Sequence, residues 1–228
     1  MPNHTQAQLA ATPLELLVVA ERLFSMHGVD GVSTREIARA AGQKNHSAVA
    51  YHFGSKEALV ERILDYRLVP INTRREALLK ELEAAGKTQD VRSLVHALAA
   101  PFVEELRADP GESHYIGFIS QLVATDDGAR LRGANIERNA ATYTLGDYLF
   151  DALAHLPAKL RANRLQMLGA QLTAVVATWD RQRREETPPF RSADLPWMTE
   201  NLVDMLTAGM QAPVSAATAA AQEQEQDA

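Results

Sequence analysis

The chain has 228 residues, 46% of them hydrophobic and 23% charged, proportions that suit a soluble globular protein of one large domain or two small ones. It contains no cysteine, which excludes a disulfide framework and any thiolate metal site. The net charge of −6 argues against a nucleic-acid partner unless cations are gathered locally, because phosphate affinity follows local basic residues and not the chain total. No charged-then-apolar leader is evident, and no apolar run reaches the ~18 residues that span a bilayer, so a cytoplasmic chain with no membrane partner is expected.

In chain order, residues 1–11 are small and polar and read as a flexible arm. From Pro13 to His27, Leu16, Leu17, Ala20, Leu23 and Phe24 recur at three- and four-residue steps, one face of a helix. Thr12 is its N-cap ahead of Pro13, and Gly28 ends it. Ser33 or Thr34 caps a second helix whose inner face holds Ile37, Ala38 and Ala41 and which stops at Gly42. A third helix, roughly 45–53, is closed by Gly54-Ser55. Ser55 then caps a long fourth helix, with Glu57 near its positive end.

Helices are predicted near 55–84, 90–108, 113–124, 129–155, 158–185 and 196–210. The breaks fall at Gly86, Asp109-Pro-Gly111, Asp126-Asp-Gly128, Pro157 and Pro188-Pro189. No segment alternates with period two long enough to make a sheet. Residues 211–228 are largely Ala, Gln, Glu and Thr, with little to bury, and read as a disordered tail.

The segment from Gly28 to Leu59 reads as a helix-turn-helix running into a capped helix, the unit that lays one short helix in a DNA major groove. Between Gly31 and Lys56, four cations (Arg35, Arg39, Lys44 and Lys56) stand against Glu36, a local charge of +3. On the third helix Val49 and Phe53 share a face and are expected to pack inward. Lys44, Ser47, Ala48 and Tyr51 then point outward. Ser47 suits a base edge, and the Ala48 methyl suits a thymine methyl. Ser33 and Thr34 sit at a helix N-terminus, which attracts an anion. Lys44 and Lys56 bracket the third helix as phosphate clamps. The planar fork of Arg35 matches O6 and N7 of guanine. Taken singly, each of these residues reads equally well as solvated surface.

This stretch resembles the TetR family of transcriptional regulators over roughly residues 14–64. The resemblance rests on the Ala20…Phe24…Gly28 spacing, Gly31-Val-Ser-Thr-Arg-Glu-Ile-Ala, Ala41-Gly42, Tyr51-His52-Phe53 and Ser55-Lys56-Glu57-Ala58-Leu59. It implies an all-α homodimer: an N-terminal three-helix helix-turn-helix DNA-binding domain, here 12–54, followed by a helical ligand-binding and dimerisation bundle, here 55–210. It also implies a repressor that binds double-stranded DNA at a palindromic operator and is released by a small molecule. Two departures stand out. Gly42 to Phe53 is eleven residues where the family has ten, and Ala50 occupies the place of the family's backbone-touching tyrosine, with Tyr51 one position later. The reading face therefore shifts by one, and Asn45, His46 and His52 join Ser47, Ala48 and Tyr51 as candidate DNA contacts.

The remainder carries no recognisable motif. Gly169, Thr173 and Ala177 form a small-residue stripe, and Leu195, Met198, Leu202 and Met205 repeat like a coiled seam. In the family the last two long helices pair with their mates, which makes Gly169, Thr173, Ala177, Met198, Leu202 and Met205 candidate dimer contacts. The same stripes can equally bury within one subunit. Phe102, Tyr115, Phe118, Gln121, Tyr143 and Trp179 offer aromatic walls and polar handles for a hydrophobic effector, and serve equally as plain core. Arg181, Arg183 and Arg184 read as a solvated helix end. His96, His114 and His155 are too scattered for a metal site, and no cofactor is expected.

Enzyme signatures are missing from the sequence: no Gly-rich phosphate loop ending in Lys-Ser/Thr, no His-Glu-x-x-His and no Gly-x-Ser-x-Gly. The competing readings are an activator on the same fold and an interaction adaptor that keeps the helix-turn-helix without using it.

Overall fold

Every regular element among the described residues is helical, and the long helices that precede residue 212 bury one apolar face each. The computed structural model describes residues 11–109, 111–185 and 191–226. All but Ala11 of the expected arm lies outside these residues, as does the Pro188-Pro189 break. The first three helices are α1 (Ala11–His27), α2 (Thr34–Ala40) and α3 (Ala48–Phe53). The long α4 (Lys56–Ala84) leads from them into α5 (Val91–Val103), α6 (Tyr115–Val123), α7 (Asp126–Ala134), α8 (Ala140–Ala152), α9 (Ala158–Arg184) and α10 (Leu195–Gln211). A final helix, α11, spans Ala216–Gln226.

Four expectations are overturned by the fold. The helix expected over 129–155 is two helices, and the expected break at Asp126-Asp-Gly128 is the first turn of α7. There the Thr125 hydroxyl accepts from the Gly128 amide at 3.1 Å, with Asp126 and Asp127 at the positive end. Asparagines open the gap between α7 and α8. Asn135 Oδ1 accepts from the Arg138 amide at 2.8 Å, and Asn139 Nδ2 donates to the Arg132 and Asn135 carbonyls. These side chains compete with the helical ladder. They also turn Arg138 inward, to Glu61 at 2.7 Å and Asp65 at 3.0 Å on α4.

The expected disordered tail is helical over α11. Its alanines and glutamines are strong helix formers, and residues 215–221 bury nothing. Of the arginine run at the end of α9, Arg181 is exposed as expected, whereas Arg183 and Arg184 form a clamp and not a solvated end. Arg183 is buried and donates to the Leu106 and Ala108 carbonyls and to Asp180, while Arg184 reaches Asp180 and the Ser113 carbonyl.

The N-terminal unit is fastened to the rest chiefly through α1, which packs along α6. Phe24 and Phe118 stack with ring centroids 6.1 Å apart. A Cβ on Gly117 would come within 3.1 Å of the Ser25 Cβ, so glycine permits this approach. At the centre lies Glu21, fully buried. Arg67 of α4 donates to both of its oxygens, at 2.6 and 3.0 Å, and the His114 amide at the head of α6 donates to Oε1 at 2.7 Å. One carboxylate thus joins three helices.

Two predictions follow from this junction. Arg67→Met leaves Glu21 a buried carboxylate without its ion-pair partner, and denaturant melts are expected to show a loss of ~3 kcal/mol or more. The Glu21→Gln/Arg67→Met double variant recovers most of that loss. Next to it, burial and then the Arg184 and Arg22 charges hold the His114 imidazole down from its ordinary 6.5 to about 4. Between those pH values the unfolded chain takes up a proton that the folded chain refuses. Stability therefore falls as pH drops from 6.5 towards 4, and above 6.5 this group adds no pH dependence. His114→Gln should flatten the stability profile in that window.

Candidate DNA-reading surface

The turn between α2 and α3 is built by its own polar groups. Ser33 caps α2 in a reciprocal capping box: its Oγ accepts from the Glu36 amide at 3.2 Å, and its own amide donates to Glu36 Oε2 at 2.8 Å. The hydrogen bonds from the Ser33 amide and hydroxyl hold the Glu36 carboxyl below the usual range. Ser33 therefore spends its hydroxyl inside the protein, a correction to its expected place on a phosphate. At the other end Gly42 adopts φ +66°. Its amide donates to Arg39, and the Gln43 amide donates back to Ala38 at 2.9 Å, a Schellman stop.

The extra residue in the turn is absorbed ahead of the helix. Asn45 Oδ1 accepts from the Ser47 amide at 2.9 Å, and the Asn45 carbonyl accepts from the Ala48 amide at 3.1 Å. The third helix consequently begins at Ala48, three residues later than expected. Its inward face is Ala48 and Val49, both buried, with Phe53 half-buried beside them. Ala48 cannot meet a thymine methyl from there. The outward row is Ser47, Ala50 and Tyr51, and Tyr51 is 80% exposed. Ala50 is the residue missed in the sequence. Its position three residues after Ser47 would have placed it on the outward face once the helix start was known.

Around this row Lys44, Asn45, His46 and His52 are exposed, and Thr34 is half-buried. Arg35 and Arg39 are exposed on α2, and among the described residues neither makes an ion pair. Tyr51 and His52 meet edge to face at 4.8 Å. Lys56 departs from its expected role as a phosphate clamp. Its Nζ donates to the Val29 carbonyl at 3.0 Å and the Val32 carbonyl at 3.3 Å, tying the α1–α2 connection to the start of α4.

Three of the expected effector residues come together, as core and not as pocket walls: Phe102, Tyr115 and Phe118 are buried, the first two meeting edge to face with ring centroids 6.3 Å apart and the last two tilted at 6.5 Å. Gln121 is exposed, Trp179 is half-buried, and Tyr143 is largely exposed with its hydroxyl on the Gly133 carbonyl. Two larger grooves lie elsewhere. One of about 670 Å³ runs between α4 and α8 past Val69, Asn72, Thr73 and Ala141. Another, of about 440 Å³, lies between α5 and α10 beside His96, Ala100 and Trp197. Among the described residues no group of three metal-ligating side chains gathers to hold an ion, and no helix is long and apolar enough to cross a membrane.

The expected dimer residues divide. Gly169 and Met205 are exposed, whereas Thr173, Ala177 and Met198 are half-buried. Leu202 is buried within its own subunit, on the α10 face that packs on α5 and α9. It therefore leaves the list of surface contacts.

A helix-turn-helix with a short exposed third helix, carried by α4 into an all-helical bundle, defines a DNA-binding regulator architecture. The family profile "Bacterial regulatory proteins, tetR family" matches residues 16–63, and "Tetracyclin repressor-like, C-terminal domain" matches residues 96–209. The chain belongs to the TetR family, whose members are DNA-binding transcriptional regulators.

Among solved structures the chain is similar to NalD, the secondary repressor of the MexAB-OprM multidrug efflux pump in Pseudomonas aeruginosa. The identity is 23% over 87% of this chain and 96% of that one, with a TM-score of 0.55. It is also similar to the transcriptional regulator FadR from Bacillus subtilis, solved with stearoyl-CoA. Here the identity is 13% over 86% and 98% of the two chains, with a TM-score of 0.53. These likenesses are of fold. No curated protein matches the chain in sequence.

Lys56→Met removes two charge-assisted hydrogen bonds to carbonyls while keeping the aliphatic stem. It should lower unfolding stability by ~1–3 kcal/mol, measured as a shifted denaturant midpoint with an unchanged slope.

Proposed function

We propose that the protein is a cytoplasmic homodimeric repressor that reads a palindromic operator and is released by a small molecule. The observation that carries this reading is the exposed row Ser47, Ala50 and Tyr51 on α3, flanked by Lys44 and Arg35, both free of ion pairs among the described residues. Small side chains let the helix sit deep in the groove. Ser47 addresses base edges, the Ala50 methyl takes the apolar contact, and Arg35 takes a guanine. Lys44, Thr34 and Tyr51 address phosphates, with His46, Asn45 and His52 at the margin.

A second copy of the chain covers α9 and α10. Met167 is 50% exposed and Met205 68% exposed, beside the exposed small residues Gly169 and Gly209, and such apolar exposure marks a contact surface. Two reading helices then lie one DNA turn apart, ~34–36 Å.

Selection of the purified protein against random duplex DNA at two salt concentrations tests the reading. An enriched inverted repeat is expected. No enrichment from a folded dimer would overturn it in favour of the adaptor. On the selected duplex, Lys44→Ala, which removes one phosphate contact in each half-site, should reduce the slope of log affinity against log salt by about 1.8. Arg35→Ala should cost about 1–3 kcal/mol per half-site and relax preference at one base pair in each.

A further inference from the structure

The interior of the bundle holds a second charged site, and it differs from the Glu21–Arg67 pair in lacking an anion. Arg75 of α4 is 3% exposed. Its Nε and Nη2 both donate to the Leu98 carbonyl, at 3.0 and 2.9 Å. Its Nη1 donates to Asn72 Oδ1 and Thr142 Oγ1, each at 3.0 Å. Every acceptor is neutral, and among the described residues no carboxylate pairs with it. Burial, reinforced by the Arg132 charge, holds its pKa down at about 10. A buried guanidinium without a counter-ion costs several kcal/mol.

Two further donors share this region. Tyr115 is fully buried, and its hydroxyl has no partner. Burial pushes the phenol up, so it stays protonated, and the charges of Arg132 and then Arg75 act on it most strongly. Arg132 Nε is also buried without a partner. A buried hydroxyl left unsatisfied is costly. Two guanidiniums and a phenol, donors all, act on one another here, and the carboxylates whose charge also reaches Tyr115, Glu105 and Glu21, are already taken by Arg74 and Arg67.

We propose that this cluster is the receptor for the carboxylate of a small organic acid with an apolar body. A carboxylate matches the flat edge of a guanidinium in a bidentate pair and accepts from the Tyr115 hydroxyl as well. Apolar walls are at hand in the adjoining α4–α8 groove, where Val69, Leu79, Ala140 and Ala141 line the space. Arg75 neutralises one charge, which favours a monoanion over a polyanion.

The way in is the α4–α8 groove, which Asn72 lines. From inside, the Asn72 amide oxygen holds Arg75 and accepts from Thr142 Oγ1 at 2.8 Å. The incoming carboxylate replaces that amide oxygen on Arg75. The groove's acids are Asp65, paired with Arg138, Glu76, paired with Lys80, Glu83, which accepts from the Tyr148 hydroxyl, and Glu137. Four acids against the cations Lys80 and Arg138 make this entry far harder for a polyanion than for a single negative charge.

The regulatory consequence rests on the ligand-released reading above; the binding itself does not. The test is calorimetric titration and thermal melting of the full chain with octanoate and benzoate, with octanol, octylamine and inorganic phosphate as controls. Both acids should bind and raise the melting temperature, and the controls should not. Tyr115→Phe removes an unpartnered hydroxyl, so it should keep or raise the unliganded melting temperature while weakening acid binding about tenfold or more. Arg75→Met should abolish acid binding. No binding of either acid at millimolar concentration, equal binding of octanol or phosphate, or parental affinity in Tyr115→Phe would each overturn the proposal. The same samples on the selected duplex separate the two readings. Acid binding that leaves DNA bound upholds the site and overturns ligand release.

Discussion

The structure turns on one buried carboxylate. Glu21 sits in the middle of α1, where the helical pattern calls for an apolar residue, and its desolvation is tolerable only because Arg67 meets both oxygens and the His114 amide meets one of them again. Three helices must be in register for that to hold. An apolar replacement would pack α1 against α4 and α6 with less angular precision, because dispersion contacts are non-directional. The bidentate pair fixes how the DNA-reading unit is oriented on the bundle. The tight approach at Gly117 and the Phe24–Phe118 contact continue that junction along the same two helices.

Within the reading unit, polar residues divide between making the turn and facing outward. Ser33 and Glu36 close the start of α2, Asn45 supplies the hydrogen bond that starts the approach to α3, and Lys56 ties the α1–α2 connection to α4. The set proposed for DNA is accordingly narrower than the polar composition suggests: Arg35, Thr34, Lys44, Ser47, Ala50 and Tyr51, with Asn45, His46 and His52 at the margin. The extra residue in the turn shortens the helix and leaves the core register intact, since Val49 still lies at the centre of the unit's packing.

These outcomes mark where sequence reasoning reaches and where it stops. Local rules act within one or two turns, so the caps of α2 and α4 and the glycine stops were legible: Ser33, Gly42 and Ser55 do what their residue types dictate, whereas Thr12, expected to cap α1, lies inside that helix. The orientation of Ala48 was not, because it depends on where α3 starts, and that is set by the Asn45 side chain and not by apolar spacing. The gap between α7 and α8 was missed for a tertiary reason. Arg138 leaves the helical path to reach Glu61 and Asp65, some seventy residues earlier in the chain. Arg183 and Lys56 misled in the same way. A cation in sequence looks solvated, and only the fold reveals free carbonyls within its reach. The aromatic residues chosen as pocket walls were real neighbours, but their rings fill the space between them.

The same helix, α4, carries both unusual arginines. Arg67 fastens the reading unit, and Arg75, eight residues on, holds the buried charge without a counter-ion, about 12 Å further along the axis at 1.5 Å per residue. Pro70 lies between them and removes one hydrogen bond of the helical ladder, so α4 has a built-in point of bending between the two arginines. On the proposed binding, a carboxylate that takes the place of the Asn72 amide oxygen on Arg75 breaks the Arg75–Asn72–Thr142 chain that ties α4 to α8. The Glu21 junction, which demands three helices in register, is then the first contact to register the change. Loss of DNA affinity requires no deformation of α3 itself. It requires only that the acid bind more tightly when α4 has moved than when it has not.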